Sequence, residues 1–208
     1  ELKQNKIQKE GSTAFHIASL NTSQSKDSRF ESHLVSIGGA LVRNNINATL
    51  NEEGAEIIMN GLYMTEDVQH VDNHTRVDHL KPHTQSHQNY RGVLNGKSRG
   101  VFKGKVVVHP PAKNIEAYQN NANLLLSDDA EIDTKPELEI YADDVKCTHG
   151  ATVGQLDDDM LFYLRSRAVD EKTARSLLTY AFADEVISEI NIKAVSYTHL
   201  TLPTNREV

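Results

Sequence analysis

From Ser12 to about Gly150 no helical period is sustained over three turns, and the chain instead repeats a short extended run followed by a turn. Val42, Ile46, Ala48 and Leu50 alternate with Arg43, Asn45, Asn47 and Thr49, the period-2 pattern of a strand with one buried face. Similar runs recur at 30–37, 55–64, 68–78, 85–94, 99–109, 115–126 and 132–141, with starts roughly 11–17 residues apart. The turns between them carry Gly38-Gly39, Asn51-Glu52-Glu53-Gly54, Asn95-Gly96-Lys97 and Ser127-Asp128-Asp129. Many strands of like length joined by short turns predict a sandwich, a barrel or a β-solenoid. Small inward side chains, Asn positions able to stack between rungs and the absence of Trp favour the solenoid, whose interior is narrow. Spacing alone leaves a sandwich of about nine strands open.

After Gly150 the pattern changes to helical. Asp157-Asp158-Asp159 leads into a segment where Met160, Leu161 and Leu164 share a face, with an Asp to cap it. A second helix begins near Asp170, with Ala174, Leu177, Leu178, Ala181, Phe182, Val186 and Ile190 as its apolar stripe. The expected division is therefore a β-helical core at 1–152 and a small helical domain at 153–194. The acids of 155–190 outnumber the bases by eight to four, a large part of the −7 carried by all 208 residues, which makes this appendix a candidate docking surface.

Residues 195–208 begin VSYTHLTLPT and read as a sequencing-adapter translation, so they are set aside. The chain opens at Glu1 without a Met, and the remainder reads as part of a longer frame. No apolar run approaches the roughly 18–20 residues that cross a membrane. A net acidic chain argues against coating nucleic acid. One Cys excludes an internal disulfide framework and fits a reducing compartment.

That Cys carries the most pointed chemistry. On an extended strand Cys147 and His149 face the same side with Cα atoms about 6.6–7 Å apart. A soft thiolate beside an imidazole suits iron, zinc or an iron–sulfur fragment, and the His is able to lower the thiol pKa. Two ligands do not complete a site, and an inert Cys beside a turn His has the same spacing. His70, His74, His79, His83 and His87 invite a metal reading too, but on a strand His70 and His74 share one face while His79 takes the other. Lys97, Arg99, Lys103 and Lys105 form a basic band at odd positions, read as a solvated strand face. Asp128-Asp129 and Asp143-Asp144 are candidate acid/base carboxylates, with turn chemistry as the simpler account. No Walker A segment, nucleophile elbow, HExxH or paired CxxC is present, so self-contained catalysis has little support.

Longer stretches are more specific. LNGKSRGVFKGKVVVHPPA (94–112), the run 116–168 through YADDVKCTHGATVGQLDDDMLFYLRSRA, DNHTRVDHLKPHT (72–84) and YAFADEV (180–186) together resemble the SufB/SufD family of iron–sulfur cluster assembly scaffolds, on its SufD side, over roughly 30–190. The resemblance implies a right-handed parallel β-helix followed by helices. It implies a non-catalytic scaffold that pairs end to end with a SufB-like chain and receives a SufC-like ATPase on its helices, so ATP enters only through that partner. Cys147 and His149 match the family's Cys-x-His positions at the interface, with His149 matching a cluster ligand, and the partner would supply the missing ligands of a transient iron–sulfur cluster. A cytoplasmic location follows, or a plastid in a plant or alga. Ala168 departs from the family, which has Gly after LRSR, where φ > 0 is expected. Two readings of other kinds stand beside this one: a secreted β-helix enzyme acting on acidic polysaccharide, and a structural homodimer formed through an exposed final rung.

Overall fold

The computed structural model describes residues 1–190; the segment read as adapter-derived, and the last four residues of the expected helical domain, lie outside the described residues. Eleven strands come first: β1 (Leu2–Glu10), β2 (Phe15–Gln24), β3 (Arg29–Gly38), β4 (Leu41–Leu50), β5 (Glu56–Thr65), β6 (His70–His79), β7 (Gln85–Leu94), β8 (Arg99–Val108), β9 (Ile115–Leu125), β10 (Glu131–Ile140) and β11 (Val145–Gly154). Two helices follow, α1 (Asp158–Ser166) and α2 (Glu171–Ile187). Odd strands form one sheet in the order β1-β3-β5-β7-β9-β11, even strands a second in the order β10-β8-β6-β4-β2, and every pairing is parallel. Each strand thus pairs with the one a full turn away, never with its sequence neighbour. That pattern excludes the sandwich: the chain is a parallel β-solenoid whose two sheets enclose a lumen. Leu41, His70 and Arg99 stack one above another in successive turns.

The lumen is filled by side chains that meet from the two sheets, as Phe102 of β8 meets Tyr90 of β7 with ring centroids 5.0 Å apart, and its filling follows from that. Val42, Ile46, Ala48 and Leu50 point inward as expected, and Val71, Val77, Phe102 and Val106 continue the column in the next rungs. Large rings fit only opposite a hole. Gly61 is in register with Tyr90 and Gly92 with Tyr63, and a Cβ added to either glycine would fall 2.2 Å or 2.4 Å from the facing ring. The expected Asn stacking is present: Asn44 Nδ2 donates to Asn73 Oδ1 at 3.1 Å inside, and Asn47 to Asn21 and Asn120 to Asn89 do the same outside. Strand β1 escapes the period-2 reading because its alternation is inverted. It turns Gln4, Lys6 and Gln8 toward the lumen, where Lys6 donates to Asn44 Oδ1 and meets His16.

The turn residues answer to backbone conformation. Asp27, Gly54, His83, Asn114 and Asp144 all have φ between 52° and 71° and stack along one corner. Their amides link the turns: Asp27 N–H donates to Glu53, Gly54 to Pro82, His83 to Lys113 and Asn114 to Asp144. Asn, Asp and Gly are the residues that enter this left-handed region at least cost, so their recurrence marks the corner.

Helix α1 starts on Asp157, whose carboxylate accepts from the Asp159 and Met160 amides, and α2 starts on Asp170, which accepts from Thr173. Of the residues expected on one face of α1, Leu161 is buried and Met160 is exposed. Helix α1 ends in a complete Schellman motif, with Ala168 N–H on Arg165 and Val169 N–H on Leu164, and Ala168 at φ 62°. An alanine therefore occupies the position that asks for glycine. Ala168→Gly is expected to raise stability by about 0.5–1 kcal/mol, the left-handed cost less the added freedom of the unfolded chain, read as a higher urea midpoint with unchanged slope.

Helix α2 packs Ala183, Val186 and Ile187, with Ile190 just past its end, on Val35 and Leu62 of the odd-strand sheet. The stripe expected from sequence is rotated relative to this face. Ala174, Val186 and Ile190 are buried, but Leu177 and Ala181 are exposed and Thr179 and Ala183 take their place. Arg91 of β7 fixes the rotation by donating to the Phe182 carbonyl, pairing with Glu185 and lying 4.7 Å over the Phe182 ring.

Candidate metal half-site at the open end

The solenoid ends on β10 and β11, each paired on one side only. On β11, Cys147 is in register with Ala117 and His149 with Gln119, both lumen-facing residues of β9, so the thiol and the imidazole project from the same face over the end of the lumen. Cys147 packs beside Leu138, Ala142 and Val145 on a cluster of Val106, Val108, Ala112, Ile115 and Ala117. Burial pushes its thiol pKa up, and the Ala117 backbone opposes this only in part. The expectation that His149 lowers the thiol pKa is not met, because apolar packing dominates and the imidazole ring is exposed.

One sulfur and one nitrogen donor on a single face fit a soft metal or an iron–sulfur edge, with the thiol proton displaced on binding. By themselves they would supply only two donors. Among the described residues no three His, Cys, Asp or Glu side chains gather closely enough to hold an ion. Further ligands would have to approach across the open end. There Ile140, Tyr141 and Val153 stand exposed, an apolar rim around the two donors.

The other candidates are structural. His70 and His74 face outward on β6 while His79 is buried in the lumen. His74 Nε2 lies 2.9 Å from Asp72 and its Nδ1 accepts from Arg43, with desolvation holding its pKa down. His83 sits in a left-handed turn and His87 stacks on Tyr118. The basic band of β8 and the turn before it is largely matched by the next turn and strand: Lys97 with Asp129, Arg99 with Asp133, Lys105 with Glu139. Of the candidate acid/base carboxylates, Asp129 is the one held by this band. Asp144 serves the corner at φ 55°.

Two residues matter that sequence reading passes over. Arg91 seats the helices on the solenoid, and the only trace of it is a lone charge in SHQNYRGVL. Gln119 lies under His149 as a buried amide, detectable only once the register is fixed. Opposite the solenoid, α1 and α2 expose Met160, Phe162, Tyr163, Leu177 and Tyr180 amid their acids. No described helix is long and apolar enough to cross a membrane.

A family model described as "SUF system FeS cluster assembly, SufBD core domain" matches residues 1–182. The iron–sulfur cluster assembly protein SufD of Escherichia coli is 39% identical over 181 residues, 87% of this chain and 43% of that protein. A SufBD family protein of Synechocystis is 39% identical over 188 residues, 90% of this chain and 42% of its own length. A chloroplastic protein of Arabidopsis thaliana is 34% identical over 190 residues, 91% of this chain and 40% of the plant protein. The chain spans less than half the length of these relatives.

Proposed function

The chain belongs to the SufBD family of iron–sulfur cluster assembly proteins, and we propose that it is the SufD-like half of a scaffold on which a cluster is built as cargo. The observation that carries this reading is the placement of Cys147 and His149 on one face of the last strand, at an end with unpaired strand edges and an apolar rim. In the proposed assembly a SufB-like chain abuts this end. It pairs with the free edges, covers Ile140, Tyr141 and Val153, and brings the remaining ligands to the nascent cluster.

This chain's part is positional. His149 offers an imidazole nitrogen from a strand fixed on one side by the β9 ladder. Cys147 is half withdrawn into the apolar cluster, where burial pushes its thiol pKa up, and binding a metal would displace the thiol proton. The helices, in the proposed boundary from residue 153 on, take a SufC-like ATPase on the exposed face of Phe162, Tyr163, Leu177 and Tyr180. ATP is handled by that partner, and this chain performs no catalysis of its own. The location proposed is cytoplasmic, or plastid in a photosynthetic eukaryote.

His149→Ala in the full chain is expected to reduce cluster maturation at least tenfold, measured by the visible absorbance of reconstituted clusters, while the complex with SufB-like and SufC-like chains still co-purifies. Normal cluster formation in that variant would overturn the assignment of His149. Sedimentation of the chain alone also tests whether the open end pairs with a second copy when no SufB-like partner is present.

A further inference from the structure

A column of side-chain amides inside the lumen leads to His149. Thr75 Oγ1 donates to Gln88 Oε1 at 2.6 Å, and Gln119 Nε2 donates to the same oxygen at 3.3 Å. Gln119 is 3% exposed, and its Oε1 is buried without any hydrogen-bond partner. The amide is held in place by a hole in the facing sheet: a Cβ added at Gly104 would fall 2.3 Å from Gln119 Nε2 and 2.8 Å from its Cδ. With Nε2 committed to Gln88, the free oxygen remains as an acceptor. A buried amide oxygen left unpaired costs about 1–3 kcal/mol, so a donor within reach is strongly favoured.

The residue stacked on Gln119 in the last rung is His149. Parallel neighbours stand about 4.8 Å apart with side chains on the same face, a span that an imidazole N–H and an amide oxygen bridge once the ring turns inward over the lumen. The lumen-facing neighbours of His149 on β11 are Cys147 and Ala151, and neither side chain carries an N–H donor.

We infer that Gln119 is a positioning residue for His149. Its Oε1 accepts the N–H of one ring nitrogen, fixes the neutral tautomer, and leaves the other nitrogen bare and turned toward the open end. This is the role that outer-sphere carbonyls play for metal-binding histidines elsewhere. The inference extends the reading of His149 as a ligand, but the tautomer it specifies is a property of the metal-free chain.

The test is ¹⁵N NMR of the histidine rings in the metal-free full chain at neutral pH. In the wild type the two His149 nitrogens are expected to resonate apart, one protonated and one bare. In Gln119→Leu they should move together toward the average of a free imidazole. Gln119→Glu should restore the separation: Gln88 Nε2, itself buried and unpartnered, can turn to the second carboxylate oxygen while the first serves His149. An averaged ring in the wild type, or an unchanged tautomer in Gln119→Leu, would overturn the inference. If Gln119→Leu does not fold, the wild-type and Gln119→Glu spectra decide it. In the partner-bound complex, Gln119→Leu should lower iron affinity about 10–100-fold. A fixed tautomer lost in Gln119→Leu, together with normal clusters in His149→Ala, would uphold Gln119 and sink the cluster reading. Cluster loss in His149→Ala with an unmoved tautomer in Gln119→Leu would do the reverse.

Discussion

Phe102→Ala is expected to lower the unfolding free energy by about 3–5 kcal/mol, at the upper end for a truncated aromatic. Phe102 is fully buried, with its ring 5.0 Å from Tyr90, and it occupies a lumen bounded on both sides by continuous parallel ladders. In a helical core, neighbours slide inward to fill part of a void. Here the walls are strands whose separation is set by the corners, and moving one inward would break backbone hydrogen bonds to the rungs above and below. The cavity therefore stays open and its full cost is felt. A denaturant titration measures the change. Gly154→Ala is the matched control: it lies on the free edge strand, an added Cβ meets nothing within 4 Å, and it should shift the midpoint little. A loss in Phe102→Ala of less than half the expected minimum would mean that the lumen collapses and that the rigid-wall account is wrong.

The second large effect is a loss of stability on mild acidification, and it comes from His79. This side chain is fully buried, with Nδ1 2.8 Å from Thr84 Oγ1 and Nε2 2.9 Å from Ser86 Oγ. Thr84 gives its own proton to the Lys81 carbonyl, so it accepts from His79 Nδ1–H, and Ser86 donates to the bare Nε2. Every position around the ring suits the neutral form. Burial pushes the pKa down to about 4, with Asp78 opposing and His109 reinforcing the shift. The unfolded chain takes up this proton as pH falls through about 6.5, whereas the folded chain resists until about 4. Stability attributable to His79 is thus complete above pH 6.5 and declines below it by up to about 1.4 kcal/mol per pH unit, roughly 3 kcal/mol by pH 4. His74, also held low by desolvation, adds in the same direction. Glu31, held near 2 chiefly by its hydrogen bond from Lys3, acts in a lower window, losing its contribution as pH falls from about 4.5 toward 2. Midpoints measured at half-unit steps between pH 7 and 4.5 should show the decline, and His79→Gln should flatten most of it. An equally steep profile in that variant would place the acid sensitivity elsewhere.

The legibility of this fold was uneven for physical reasons. Strand β4 could be read from Val42 to Leu50 because its apolar residues face the lumen and its polar ones face water. Strand β1 could not, since Gln4, Lys6 and Gln8 face inward, with Lys6 donating to Asn44 and Gln8 Nε2 to the Gly38 carbonyl of other rungs while Gln4 Oε1 has no partner. Recognising a solenoid needed pairing between residues a full turn apart, which period-2 alternation does not encode. The same holds at the site. That Cys147 and His149 share a face follows from their spacing, but that this face is the lumen, and that Gln119 lies beneath, depends on the turns at 126–130 and 141–144 setting the register of β11 on β9. In α2 the sequence offers two apolar stripes. Which one meets the sheet is decided by Arg91, a residue far earlier in the chain that binds the carbonyl of Phe182 and the carboxylate of Glu185.

The stacking also decides where such a chain tolerates a change of length. Phe15 lies under Leu41 and Arg99 under Glu131, so the second of these turns consumes more chain than the first, yet β2, β4, β8 and β10 are equally long. All but one residue of the difference, the eleventh of β9, is absorbed at the corners, where a residue gained or lost leaves every side chain on its own side of the wall. A single insertion inside a strand would exchange lumen and solvent faces from that point to the next corner. The corners are accordingly the positions at which a reporter peptide or cross-linking label can be placed, and the spacing of the rungs then serves as a molecular ruler with graduations about 4.8 Å apart.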